Sequence, residues 1–117
     1  MAQGVISMTE DTGWQRISND STAIGYKVLY RRIGKTVYIK SNGAITGLTE
    51  NTPLGYLSAD CRPDTQIWFP CYAANPVYKP SAYLRIYAPG GGVTLGLATD
   101  SGVTASTSIY VSASYLV

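Results

Sequence analysis

Seven carboxylates and not a single histidine set the limits of acid–base chemistry in this 117-residue chain. Without an imidazole, the Ser–His and Cys–His pairs that activate nucleophiles are closed. The acids are Glu10, Asp11, Asp20, Glu50, Asp60, Asp64 and Asp100, each in an expected turn or in the N-terminal segment. An Asp in a turn bonds its own following backbone. They therefore read as turn caps, not as the paired carboxylates of a glycosidase. Cys61 and Cys71 form no CxxC motif, and there is no histidine to complete a zinc site. They read as two free, mostly buried thiols, with a disulfide between neighbouring strands as the alternative. Pro89-Gly90-Gly91-Gly92 lacks the Lys-Ser/Thr ending and following helix of a phosphate loop, and reads as a turn. The expectation is a non-enzymatic domain with no cofactor and no metal.

What remains is aromatic: ten tyrosines, two tryptophans and one phenylalanine. Aromatic faces stack on the C–H faces of sugar rings, and a tyrosine hydroxyl adds a hydrogen bond. Within strands, Tyr26, Tyr30, Tyr38, Tyr83, Tyr87, Tyr110 and Tyr115 read as sheet packing, as do Trp68 and Phe69. Loops carry function on a rigid scaffold. The candidate ligand-binding residues are therefore Tyr72, Asn75, Tyr78 and Lys79, in or beside a Pro-bounded loop, joined by Tyr56 and Asp100. Trp14 is expected to anchor the N-terminal segment, against a neighbouring subunit or as a plug at the sandwich base.

The elements that must position these residues show no helical period, and alternation is common. Tyr26, Val28 and Tyr30 share one face, opposite Lys27, Leu29 and Arg31; Val37 and Ile39 oppose Tyr38 and Lys40. A turn at 32–35 makes a hairpin of 24–33 with 36–41, and Asn42-Gly43 closes it. A short strand is expected at Ala44 to Leu48, then a polar break with Pro53. The stretch 66–72 is aromatic and β-branched, with Pro70 restricting it to an edge or a bulge. In 82–88, Tyr83, Arg85 and Tyr87 face away from Leu84 and Ile86. Val93, Leu95 and Leu97 line up with period two, and a last strand runs from Thr107 to the end. About seven or eight short strands with turn signals every 8–12 residues predict an antiparallel β-sandwich, jelly-roll-like. Residues 1–21 form an N-terminal segment, and 22–117 the sandwich domain.

Composition agrees with a packed β-domain. The chain is 45% apolar and only 14% charged, against roughly 25% charged in ordinary soluble domains. Its polar surface is mostly Ser, Thr, Asn and Gly, which suits neutral partners such as sugars, or subunit contacts. A net charge of +2 argues against a nucleic-acid reader. No apolar stretch approaches the roughly 20 residues of a membrane-spanning helix. The first eight residues lack the pattern of a signal peptide.

The order of the pieces resembles a known family. Tyr30 to Ile39 is similar to a YRK-x-G-x-x-V-x-L hairpin. It is followed by Leu54-Gly55-Tyr56, Arg62-Pro63, Ile67-Trp68-Phe69-Pro70, Ala82 to Ile86, Val93-Thr94-Leu95 and a terminal aromatic–aliphatic strand. That succession resembles C-terminal domains of tail-fibre, baseplate and receptor-binding proteins of phages and prophages of Gram-positive bacteria, over residues 22–117. One departure stands out: the family's Gly-Tyr-Arg-Pro unit is split here, with five residues between Gly55-Tyr56 and Arg62-Pro63. The loop 72–81 also looks individual to this chain.

The resemblance implies a homotrimeric sandwich at the virion's tail tip, made in a reducing bacterial cytoplasm. Its partner would be a host cell-wall saccharide or other baseplate and tail proteins. A purely structural tail module and a free-standing carbohydrate-binding module or adhesin are the alternatives.

Overall fold

The computed structural model of the chain describes residues 10–73, 80–98 and 103–117. Nine strands lie among the described residues: β1 (Gln15–Arg16), β2 (Val28–Ile33), β3 (Thr36–Ser41), β4 (Thr52–Tyr56), β5 (Ile67–Ala73), β6 (Ala82–Ile86), β7 (Gly92–Leu97), β8 (Ile109–Tyr110) and β9 (Ser112–Leu116). They form two antiparallel sheets, ordered β1-β2-β3-β9 and β4-β7-β6-β5-β8. The antiparallel β-sandwich expected from the alternation is the fold.

Alternation sorts the side chains as the sequence implies. Val28, Tyr30, Val37 and Ile39 point inward from one sheet, and Leu84, Ile86, Val93 and Leu95 from the other. Ile109 and Val111 close the core between them. Cys61 and Cys71 are buried and free. Burial pushes both thiols above their ordinary pKa, Cys71 to about 11, so neither is a ready nucleophile. Within the segment set apart as 1–21, β1 pairs with β2 and Ile17 joins the core.

Several strand boundaries differ from expectation, each for a local reason. Residues Ile24–Lys27 form a 3₁₀ turn instead of the start of β2. Arg16 holds that turn, donating to the Tyr26 carbonyl at 2.7 Å with its guanidinium 3.8 Å from the Tyr26 ring centroid. Tyr26 therefore leaves the face of Val28 and Tyr30. The expected strand at 44–48 reduces to one bridge, Ile45 with Ile109, because the Gly47 N–H goes instead to Ala105. The polar break around Pro53 is a strand, β4, at the edge of its sheet, where a missing N–H costs no ladder bond.

Pro70 is accommodated by phase. The Tyr87 N–H donates to Gly92, so odd-numbered residues of this strand turn their backbone groups to β7 and even-numbered ones to β5. Pro70, opposite Tyr83, then points its nitrogen away from β6, on a side where β8 reaches only Tyr72 and Ala73. The last strand divides at Val111: β8 joins the five-stranded sheet and β9 the four-stranded one. Such a switch makes a corner of the sandwich. The Val111 carbonyl and N–H both bond Ser41, at 3.0 Å each, the N–H to the side-chain oxygen.

Candidate functional site

The outer face of the five-stranded sheet gathers the aromatic residues that β5 and β6 turn away from the core. Cross-strand register sets them in rows. One row runs Trp68–Arg85–Thr94–Pro53 across β5, β6, β7 and β4. The next is Tyr87–Gly92–Tyr56. On the other side of the first row stand Pro70, Tyr83 and Gly96. Further along β5, Tyr72 pairs with Tyr110, both on the surface.

Tyr56 reaches this face through a β-bulge. Strict alternation would put Tyr56 on the side of Leu54, which is buried. The register shifts between Pro53 and Gly55, so Gly55 pairs with inward-facing Val93 and Tyr56 pairs with Gly92. An inserted residue re-aims the side chains beyond it, and Tyr56 emerges 70% exposed. Gly55 is required there twice over. Its φ is 138°, and a Cβ would stand 2.8 Å from the carbonyl oxygen of Ile17, just after β1.

Between Tyr56 and Tyr87 lies a cleft of about 230 Å³, lined also by Pro53, Gly55, Gly92, Val93 and Thr94. Gly92 is its floor. A methyl group there would meet the Tyr56 ring at 3.4 Å and the Tyr87 ring at 3.9 Å, so two aromatic rings flank one open glycine. Beside the cleft, Trp68 lies 53% exposed. It meets Tyr83 edge-on at 6.2 Å and covers the Arg85 guanidinium at 4.3 Å.

The polar groups in this row are unevenly satisfied. Arg85 first, then Thr94, hold the Tyr87 hydroxyl's pKa below that of an ordinary phenol. Both side chains thus lean on the Tyr87 hydroxyl, although Arg85 Nε and Thr94 Oγ1, each buried, close no hydrogen bond of full geometry. Chemically, the face offers flat apolar rings, tyrosine hydroxyls and one guanidinium. No group of three or more His, Cys, Asp or Glu that could hold a metal occurs among the described residues.

Of the residues singled out from sequence, Tyr56 lies on this face, at the end of its edge strand β4, and forms one wall of the cleft. Tyr72 is on the same face but some way off. Three strand spacings and several residues separate it from Tyr56, roughly 20 Å or more by sheet geometry. Asn75, Tyr78, Lys79 and Asp100 fall outside the described residues. Trp68, Tyr83, Arg85, Tyr87 and Thr94 were not among the expected ligand contacts. Their signal was the phase of the alternation: residues opposite Leu84 and Ile86 must face out, and an outward aromatic is not needed for the core.

Trp14 does not plug the sandwich. It lies 40% exposed, with Lys40 Nζ at 4.3 Å and the Arg31 guanidinium at 5.7 Å from its ring centroid. Its neighbours are thus residues of β2 and β3 that point away from the core. Neither a family model nor a curated protein matches this sequence.

Proposed function

We propose that this chain is a non-catalytic, saccharide-binding domain at the distal end of a phage or prophage tail, holding a host-surface sugar on the outer face of its five-stranded sheet. The observation that carries the reading is the pair Tyr56 and Tyr87 flanking Gly92, with Trp68 alongside. Exposed rings on a rigid sheet give a sugar's C–H face a stacking surface with little entropy to lose. At about 230 Å³ the cleft is smaller than the roughly 300–1,000 Å³ of pockets that engulf a drug-sized ligand. It suits one ring of a longer saccharide, with neighbouring units lying along Trp68.

The same reading makes the domain a homotrimer subunit, and a second surface supports assembly. Ile33, Thr36 and Leu116 form one outward row on the four-stranded sheet. Leu116 is 74% exposed and Ile33 39%. A free-standing module would have no use for such an apolar edge, whereas a subunit contact covers it.

Binding of the fluorescently labelled chain to a panel of Gram-positive cells, with and without free wall polysaccharide, tests the proposal. Strain-restricted binding is expected, abolished by the polysaccharide and weakened about 3- to 10-fold by Tyr56→Ala. Gly92→Ala should weaken it too, because the methyl makes only ordinary contacts in the fold but raises the cleft floor. No binding to any strain, even with the chain trimerised for avidity, overturns the receptor role and leaves a structural tail module.

A further inference from the structure

The five strands of the sheet that carries the candidate site contain a single charged residue, Arg85. No carboxylate among the described residues comes within ion-pair distance of it; the pairs there join Arg31 to Asp11 and Arg32 to Asp60. Arg16 and Arg62 also meet no acid, but each donates to a backbone carbonyl; Arg85, in the middle of the aromatic face, has the Trp68 ring instead. Its direct cross-strand neighbour is Thr94, and Arg85 Nε and Thr94 Oγ1 are both buried without a hydrogen bond of full geometry. Leaving a buried polar atom poorly paired costs about 1–3 kcal/mol, and the Tyr87 hydroxyl beside both is neutral, so among the described residues the guanidinium has no counter-charge.

From this we infer that the saccharide held on this face is anionic, and that its acidic group, a carboxylate or a phosphodiester, is captured by Arg85 with Thr94. The inference rests on the saccharide-binding reading above. A guanidinium offers parallel N–H donors that match an oxyanion, and the threonine hydroxyl adds a further donor. Thr94 also lines the cleft between Tyr56 and Tyr87, so a ring seated there carries its substituents toward Arg85. Both polar atoms lie beneath the surface, and the Arg85 guanidinium is stacked against the Trp68 ring. Capture therefore requires the guanidinium to swing off that ring toward the cleft, and the indole reports the movement. The overall charge of +2 and the absence of any acid within the five strands leave nothing on the sheet to repel such a ligand.

A glycan array probed with the full 117-residue chain tests this, each acidic glycan printed beside its neutral counterpart: uronate beside methyl ester, phosphodiester beside dephosphorylated sugar. Bound members are expected to be acidic, each exceeding its neutral partner by about 10- to 100-fold. The uronate and phosphodiester members tell the two sources of charge apart. Arg85→Gln should erase the difference while the neutral members keep their weak signal. In a Trp14→Phe chain, where Trp68 is the sole indole, the bound acidic glycan should change the emission and its neutral partner should not. Equal binding of acidic and neutral partners overturns the anionic assignment and leaves the saccharide reading standing. A preference for the acidic members that survives Arg85→Gln, with circular dichroism unchanged, also overturns it. If no member of either kind binds, both readings fall.

Discussion

Asp11 and Arg31 show how a single pair on the surface sets a pH response. Arg31 donates to both carboxylate oxygens of Asp11, through Nε at 2.8 Å and through Nη2, and the Gly13 N–H adds a bond at 2.9 Å. The Arg31 bond first, then the Gly13 bond, hold the Asp11 pKa down at about 2. A depressed carboxylate adds stability that is in place above its unfolded value of about 4 and is lost as pH falls toward 2. The thermal midpoint should therefore drop across that window, and Asp11→Asn should flatten the drop; equal acid limbs for both chains would refute the assignment. The pair is exposed, so its contribution is small. At the same scale, Trp68→Ala should weaken saccharide binding with little change in thermal midpoint, since more than half of that side chain is already in water. A large loss of stability would mean that the indole is packing, not recognition surface.

Elements are held in register by contacts that only a few residues supply. The Tyr115 hydroxyl, on β9, donates to the Cys61 carbonyl at 2.6 Å and so ties the four-stranded sheet to the 3₁₀ turn at Ala59–Cys61. Tyr115→Phe should cost about 1–3 kcal/mol in denaturant unfolding, because a carbonyl is left without its donor. Gly55 is the second such point. Gly55→Ala combines a positive φ with a collision against the Ile17 backbone, and a destabilisation of about 1–3 kcal/mol is expected. The bulge should relax with it and withdraw Tyr56 from the outer face. Saccharide binding then falls further than the stability loss alone explains. Unchanged binding in the folded variant would separate the bulge from the site.

For the whole molecule, the two sheets present different outer surfaces. The five-stranded sheet shows aromatic rings around one arginine. The strands of the four-stranded sheet carry Arg16, Arg31, Arg32 and Lys40 and end in the apolar row at Leu116. If that row is a subunit contact, sedimentation equilibrium of the full chain should show concentration-dependent association toward a trimer. Leu116→Lys should then shift it to monomer without altering its circular dichroism. A chain that stays monomeric at every concentration and behaves identically with Leu116→Lys would remove the assembly role from this edge. The opposite placement of the two surfaces would let a tail tip assemble through one sheet and read its target with the other.

Much of this was legible in the amino acids alone. Period-two alternation determined the strand class and set Val28 and Tyr30 on one face and Leu84 and Ile86 opposite Tyr83, Arg85 and Tyr87, because a strand's side chains must alternate whatever lies beside it; which face meets the core was decided by packing, and Tyr26 left its set for a 3₁₀ turn. The lack of histidine and the abundance of tyrosine determined which chemistries were open. Which outward residues become neighbours was decided by tertiary structure. Alternation names a face but not the adjacent strand, so the row Trp68–Arg85–Thr94–Pro53 exists only once β4 has paired with β7 and β6 with β5. Tyr56 changes face through a bulge at Gly55, where β4 comes against the backbone of Ile17 just after β1, a contact between segments distant in sequence. Similarly, the final strand reads as one run, yet it divides at Val111 because two sheets compete for its two ends.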